Sequence, residues 1–127
     1  MHIGTDIIEI VRIQKAMQNP RFLKKYFTPA EISLITAKQE KAAAATAAAN
    51  FCGKEAVVKA IGTGFGKIQL IDIEILRNTL GSPYVNLYGE AKKSVHADLA
   101  GTDIKISLSH SKDYAIAMVI INDARLF

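Results

Sequence analysis

Apolar and polar positions along the chain divide it into strands near its start, helices through its first half and strands through its second. His2 to Ile10 is rich in isoleucine, with Asp6 and Glu9 set into the apolar run, and reads as a strand. A short basic helix is expected from about Val11 to Met17, broken by Asn19-Pro20. Thr28-Pro29-Ala30-Glu31 is a helix start: Thr28 can cap, Pro29 fits the first helical position and Glu31 completes a capping box. One long helix is expected from about Gln39 to Ile61. Its first half, Ala42 to Ala49, is alanine everywhere but Thr46, and Gly62 is placed to close it in a left-handed conformation. The alanine tract reads as strong in helix propensity and poor in information.

The second half alternates with period two. Ile71, Ile73 and Ile75 alternate with Asp72 and Glu74, as in a strand with one face in water. Gly81-Ser82-Pro83 turns the chain into Tyr84 to Tyr88, a second strand. Glu90 to Leu99 reads as a helix ending before Gly101. Ile104, Ile106 and Leu108 alternate with Lys105, Ser107 and Ser109, while Ala115 to Ile121 is continuously apolar, as a strand buried on both faces would be. Helices gathered in the first half and strands joined by tight turns predict an α+β fold, with an antiparallel sheet packed against the long helix. No linker or repeat divides residues 1–127, so one domain is expected.

Composition narrows the function classes. The formal charge is +4, from 16 basic and 12 acidic residues, which favours an anionic partner. There is no Trp and no interleaving of bases with aromatics, so a nucleic-acid surface is not expected. No apolar run approaches the ~20 residues of a membrane span, and no signal peptide is evident at Met1-His2-Ile3-Gly4. The single cysteine, Cys52, permits no internal disulfide, and a cytoplasmic setting is expected.

Four groups of residues could carry chemistry. Glu55 and Lys59 lie four apart on the long helix and share a face, with Lys54 a quarter-turn away. Two lysines around one carboxylate could bind a phosphate with a hard cation, though spacing alone equally describes a solvated ion pair. The loop Gly62-Thr63-Gly64-Phe65-Gly66 follows a helix instead of preceding one, so it is neither a Walker nor a Rossmann loop. Asp6 in an Ile-rich strand is either on the water face or a hard oxygen ligand. Ser109-His110-Ser111 at a strand end could meet an anion, or simply turn the chain. Arg12, Lys15, Arg21, Lys24 and Lys25, interleaved with Ile13, Met17 and Phe22, suit an acidic helix, or form an ordinary solvated face. His2, His96, His110 and Cys52 have no zinc-ligand spacing, and no serine sits in a nucleophile elbow.

The order of these groups along the chain adds what their spacing lacks. Gly4-Thr5-Asp6, then Arg12, then Phe51 with Lys54-Glu55-Ala56 and Lys59-Ala60, then Gly62-Thr63-Gly64 and late Ser109-His110-Ser111 resemble the short, single-module phosphopantetheinyl transferases, the holo-acyl-carrier-protein synthases. The resemblance spans essentially the whole chain. It implies an α+β homotrimer with sites between subunits. It also implies transfer of 4′-phosphopantetheine from coenzyme A to a serine of acyl carrier protein, in support of fatty acid biosynthesis. By resemblance, Asp6 and Glu55 hold Mg²⁺ and act with Lys59 in catalysis. Lys54, Lys59, Gly62, Gly64, His110 and Ser111 bind coenzyme A, the last two near its 3′-phosphate. Arg12, Lys15, Met17, Arg21 and Lys24 dock the carrier. A metal-bound water, Glu31 or His110 could take the serine proton. The family usually has an arginine before the Phe of the helix motif, where this chain has Asn50. The expectation is that Asn50→Arg lowers the KM for coenzyme A.

Overall fold

The computed structural model describes residues 1–62, 67–95 and 103–122. The chain runs through β1 (His2–Glu9), α1 (Ile10–Ala16), α2 (Arg21–Tyr26), α3 (Pro29–Thr36) and the 22-residue α4 (Glu40–Ile61). A single 3₁₀ turn at Leu70–Asp72 leads into β2 (Ile73–Arg77) and β3 (Pro83–Leu87), then α5 (Gly89–Ser94), β4 (Asp103–His110) and β5 (Tyr114–Asn122). The strands make two antiparallel sheets, one ordered β1-β5-β4 and one the hairpin β2-β3. The α+β fold expected from the sequence is therefore present, with α4 packed on the three-stranded sheet.

Local chemistry explains the helix ends. Thr28 Oγ1 accepts the Glu31 N–H and Glu31 Oε1 accepts the Thr28 N–H, so the capping box forms with Pro29 at the first position. Gly62 closes α4 at φ 72°, a conformation costly for any residue with a Cβ. Asn19-Pro20 ends the basic helix, as expected, and Pro20 then leads directly into α2, a short helix the sequence pattern did not reveal.

The alanine tract proves informative. Ala44, Ala48, Cys52, Ala56 and Ala60 recur every four residues, and all are buried. This stripe lets β1 and β5 approach the helix backbone closely. A Cβ on Gly4 would lie 2.0 Å from the Ala56 carbonyl oxygen and 2.7 Å from the Ala60 nitrogen. From β5, the Ala115 carbonyl lies 3.6 Å from Cys52 Sγ. Burial, and after it the nearby charge of Asp6, push the Cys52 thiol up to about 12, so it stays protonated.

Two expectations change, and a third runs past the described residues. The strand expected from Ile71 begins at Ile73, after the 3₁₀ turn, and Glu74 is buried instead of facing water. The helix from Glu90 is described only to Ser94, and its expected continuation lies outside the described residues. The apolar run Ala115–Ile121 is not buried on both faces. Ala115, Ala117, Val119 and Ile121 face α4, while Ile116 and Met118 point away and are exposed. Ile7 and Thr5 of β1 stand opposite Ile116 and Met118, and Ile3 opposite Ile120, so the outer sheet face carries an apolar band.

Candidate active site

The structure brings Asp6, Glu55 and Lys59 together where β1 crosses the C-terminal half of α4. Lys59 Nζ donates to Asp6 Oδ1 at 3.0 Å and to the Thr5 carbonyl at 3.1 Å. The lysine remains more than half exposed. Contact with Asp6 raises its pKa, so it is a permanent cation at neutral pH. Glu55 is half-buried. Burial raises its carboxyl above the ordinary 4.5, the charge of Asp6 adds to this, and Lys59 opposes it. Two carboxylates that repel each other beside one exposed lysine form a small, strained group of oxygen donors. Such a donor set suits a hard cation that keeps waters and takes its remaining ligands from a bound phosphate. Among the described residues no group of three or more His, Cys, Asp or Glu side chains could hold a metal, so at this crossing they offer the two carboxylates Asp6 and Glu55.

A second part of the expected site lies elsewhere on the chain. His110 and Ser111 are exposed at the end of β4 and line a cavity of about 590 Å³. Lys41, Lys112, Gln14 and Tyr114 also line it, with Glu9 and Asp113 as its acids. Ser111 is shaped by its turn: its N–H bonds the Tyr114 carbonyl, and its Oγ accepts the Tyr114 N–H. The Ile10 N–H bonds the Asp113 carbonyl and ties this turn to the start of α1. Asp6, Glu55 and Lys59 do not line this cavity. Gly62 caps α4 beside Lys59, whereas Gly64 lies outside the described residues.

Lys54 requires a correction. It is fully buried, and its ammonium bonds Glu31 Oε1 at 2.6 Å, the Leu70 carbonyl at 3.0 Å and the Ile73 carbonyl. Its three donors are thus matched by three acceptors inside the fold, which leaves none for coenzyme A. Glu31, weighed above as a base, is likewise sealed. Oε1 accepts from Thr28 N and Lys54 Nζ, and Oε2 from Asn50 Nδ2 and Ile75 N. Burial pushes the Glu31 carboxyl up and the Lys54 ammonium down, against their mutual attraction.

Asn50 also requires one. It is fully buried; its amide donates to Glu31 Oε2 and the Ile75 carbonyl, and its Oδ1 accepts from Arg77 Nη2 at 2.9 Å. An arginine here would meet the Arg77 guanidinium inside the core instead of reaching a solvent-side ligand. The expected gain in coenzyme A affinity is therefore withdrawn. The network that joins Arg77, Glu74 and Thr28 to these residues had no signal in the sequence, because no spacing links positions so far apart. Glu74 accepts from Thr28 Oγ1 at 2.5 Å, from Asn86 Nδ2 and from Tyr88 Oη.

The expected docking bases Arg12, Lys15, Arg21, Lys24 and Lys25 are all exposed, along α1 and α2. Met17 and Phe22 are partly buried against the core. Lys15, Arg21, Lys25, Phe22 and Tyr26 share a shallow depression.

An α+β fold with two carboxylates and a lysine at one strand–helix crossing suits an enzyme that handles a phosphorylated ligand. The chain belongs to the 4′-phosphopantetheinyl transferase superfamily, whose family model matches residues 2–119. It is 48% identical over 120 residues to the holo-[acyl-carrier-protein] synthase of Clostridium botulinum (strain Alaska E43 / Type E3), covering 94% of each chain. It is 43% identical over 119 residues to that of Fusobacterium nucleatum subsp. nucleatum, covering 94% of this chain and 96% of the relative. Its fold matches the crystal structure of a holo-(acyl-carrier-protein) synthase from Bacillus anthracis in complex with CoA (3′,5′-ADP), with TM-score 0.81 and 31% identity over 97% and 96% of the two chains. It also matches the Helicobacter pylori synthase in complex with coenzyme A, with TM-score 0.77 and 31% identity over 94% and 99%.

Proposed function

We propose that this chain transfers the 4′-phosphopantetheine arm of coenzyme A to a serine of apo-acyl carrier protein. The observation that carries this reading is the meeting of Asp6, Glu55 and Lys59 in a chain nearly half identical to named holo-acyl-carrier-protein synthases. Asp6 and Glu55 would hold Mg²⁺, which when bound would offset charge on the pyrophosphate. Lys59, exposed and permanently charged, neutralises phosphoryl oxygens as charge shifts onto the leaving group. The cavity with His110, Ser111, Lys41 and Lys112 takes the adenylate end, where the two lysines face its phosphate. In the reaction the serine oxygen bonds to the phosphorus bearing the pantetheine arm. The bond from that phosphorus to the bridging oxygen breaks, the serine proton is released, and adenosine 3′,5′-bisphosphate departs. Glu31 takes no proton, being sealed in the core.

The exposed bases of α1 and α2 steer an acidic carrier, and Phe22 and Tyr26 supply its apolar footing. The outer apolar band of Ile3, Ile7, Ile116 and Met118 supports assembly as a homotrimer, since an exposed patch of this kind marks an interface. No described helix is long and apolar enough to cross a membrane, and the lone buried cysteine fits a cytoplasmic setting. Mass spectrometry of an apo-carrier incubated with the chain, coenzyme A and Mg²⁺ tests the reading. The expected result is the mass gain of one phosphopantetheine on serine, lost in Asp6→Ala and Glu55→Ala. No gain with the wild type overturns it. Light scattering of Ile116→Lys tests the assembly: the variant is expected to shift from trimer toward monomer.

A further inference from the structure

We propose that Lys54 and Glu31 are positioning residues for the transfer, fixing α4 against α3, Leu70 and β2 so that Glu55 and Lys59 face coenzyme A. This rests on the function proposed above and names residues that act there through others.

Lys54 precedes Glu55 on α4, about 100° round the helix. Its ammonium is held by three acceptors on three elements: Glu31 of α3, Leu70 of the 3₁₀ turn and Ile73 of β2. With Lys54 locked inward, the roll of α4 is fixed, and with it the direction of Glu55. The chain leaves α4 at Gly62, just past Lys59, and returns at Leu70, where Lys54 holds it. One buried ammonium therefore sets the helix face that carries Glu55 and Lys59 and also holds Leu70, where the 3₁₀ turn into β2 begins. Glu31 completes the lock by accepting from α3, α4 and β2 at once. Filling space does not require this arrangement. Buried ion pairs are often replaceable by apolar residues of similar size with no loss of stability, so this pair is better explained by where it holds the chain than by how strongly.

The test is the double variant Lys54→Met/Glu31→Leu, which keeps the volume and removes both charges. It is expected to keep the wild-type circular dichroism spectrum and to melt a few degrees lower, because the Ile75 N–H and the Leu70 carbonyl lose Glu31 and Lys54 as partners. Its kcat/KM for coenzyme A is expected to fall by about 30-fold or more, because small misplacements at a phosphoryl-transfer site are costly in rate. The KM for the carrier protein should change less, since Lys54 reaches α2 only through the Phe27 ring and the docking bases themselves are exposed. Amides 67–75 should exchange hydrogen faster. Lys54→Arg keeps the charge but not the reach to both carbonyls. It is expected to fold and to lower kcat/KM for coenzyme A by about fivefold, which guards against a double variant that does not fold. Wild-type coenzyme A kinetics in a folded double variant, or in Lys54→Arg if the double variant does not fold, would overturn the inference. A rise in the KM for the carrier as large as any rise in the KM for coenzyme A would do the same, by showing a merely structural role. A wild type with no transfer at all overturns the proposed function, whereas an active wild type with unaffected variants overturns only this inference.

Discussion

Helix α4 meets the rest of the molecule in two ways. Toward the three-stranded sheet it presents Ala44, Ala48, Cys52, Ala56 and Ala60, and the contact is buried and close. Toward α3 and the β2-β3 hairpin it presents Asn50 and Lys54 to Glu31, and that contact is a buried polar network reaching Thr28, Glu74, Asn86 and Arg77. Each alanine on the first face is interchangeable in chemistry but not in size. On the second face each atom has a named partner. A close apolar face is limited first by volume, whereas a buried network is limited also by the pairing of each polar group. The site uses both contacts. The sheet contact brings Asp6 to Lys59, and the network sets the helix that carries Glu55.

Substitutions on the two faces should separate these behaviours. The largest effect is expected from Lys54→Met alone, which strands the Glu31 carboxylate and should cost about 3–5 kcal/mol in urea denaturation. If this loss is less than 1 kcal/mol, the network is not a coupled unit. Gly4→Ala tests the volume-limited face. Its Cβ would sit against the Ala56 carbonyl, and the expected loss is about 3 kcal/mol by the same measurement. Asn50→Arg should cost about 1–3 kcal/mol through overpacking, with no fall in the KM for coenzyme A. A lowered KM would show that position 50 reaches the ligand after all.

The smallest effect belongs to the site itself, and its sign depends on pH. The Glu55 carboxyl is held above its ordinary 4.5 in the folded state, chiefly by burial and then by Asp6. The folded chain therefore holds that proton more tightly than the unfolded chain does. The stability this gives is complete below 4.5 and is lost as pH rises through the raised value. Without metal, Glu55→Gln should raise Tm by about 1–3 °C at pH 7 and leave it unchanged near pH 4. A lower Tm at pH 7 would mean that the two carboxylates do not repel.

The sequence by itself determined the elements whose signals are local. The capping box at Thr28 and Glu31, the long helix closed by Gly62, the hairpin turn at Gly81 and the alternation of Ile104, Ile106 and Leu108 each lie within a few residues of their cause. Asp6, Glu55 and Lys59 were legible only as an ordered set, since alone each fits an ordinary surface charge. The face of β5 was misread because an unbroken apolar run has no periodicity, and only pairing with β1 and β4 shows which side α4 covers. Lys54 and Glu55 are the clearest case. They are adjacent and both charged, so the chain gives no sign that one is sealed in the core and the other half-open at the site. That division depends on acceptors at residues 31, 70 and 73, and only tertiary folding brings those to the same ammonium.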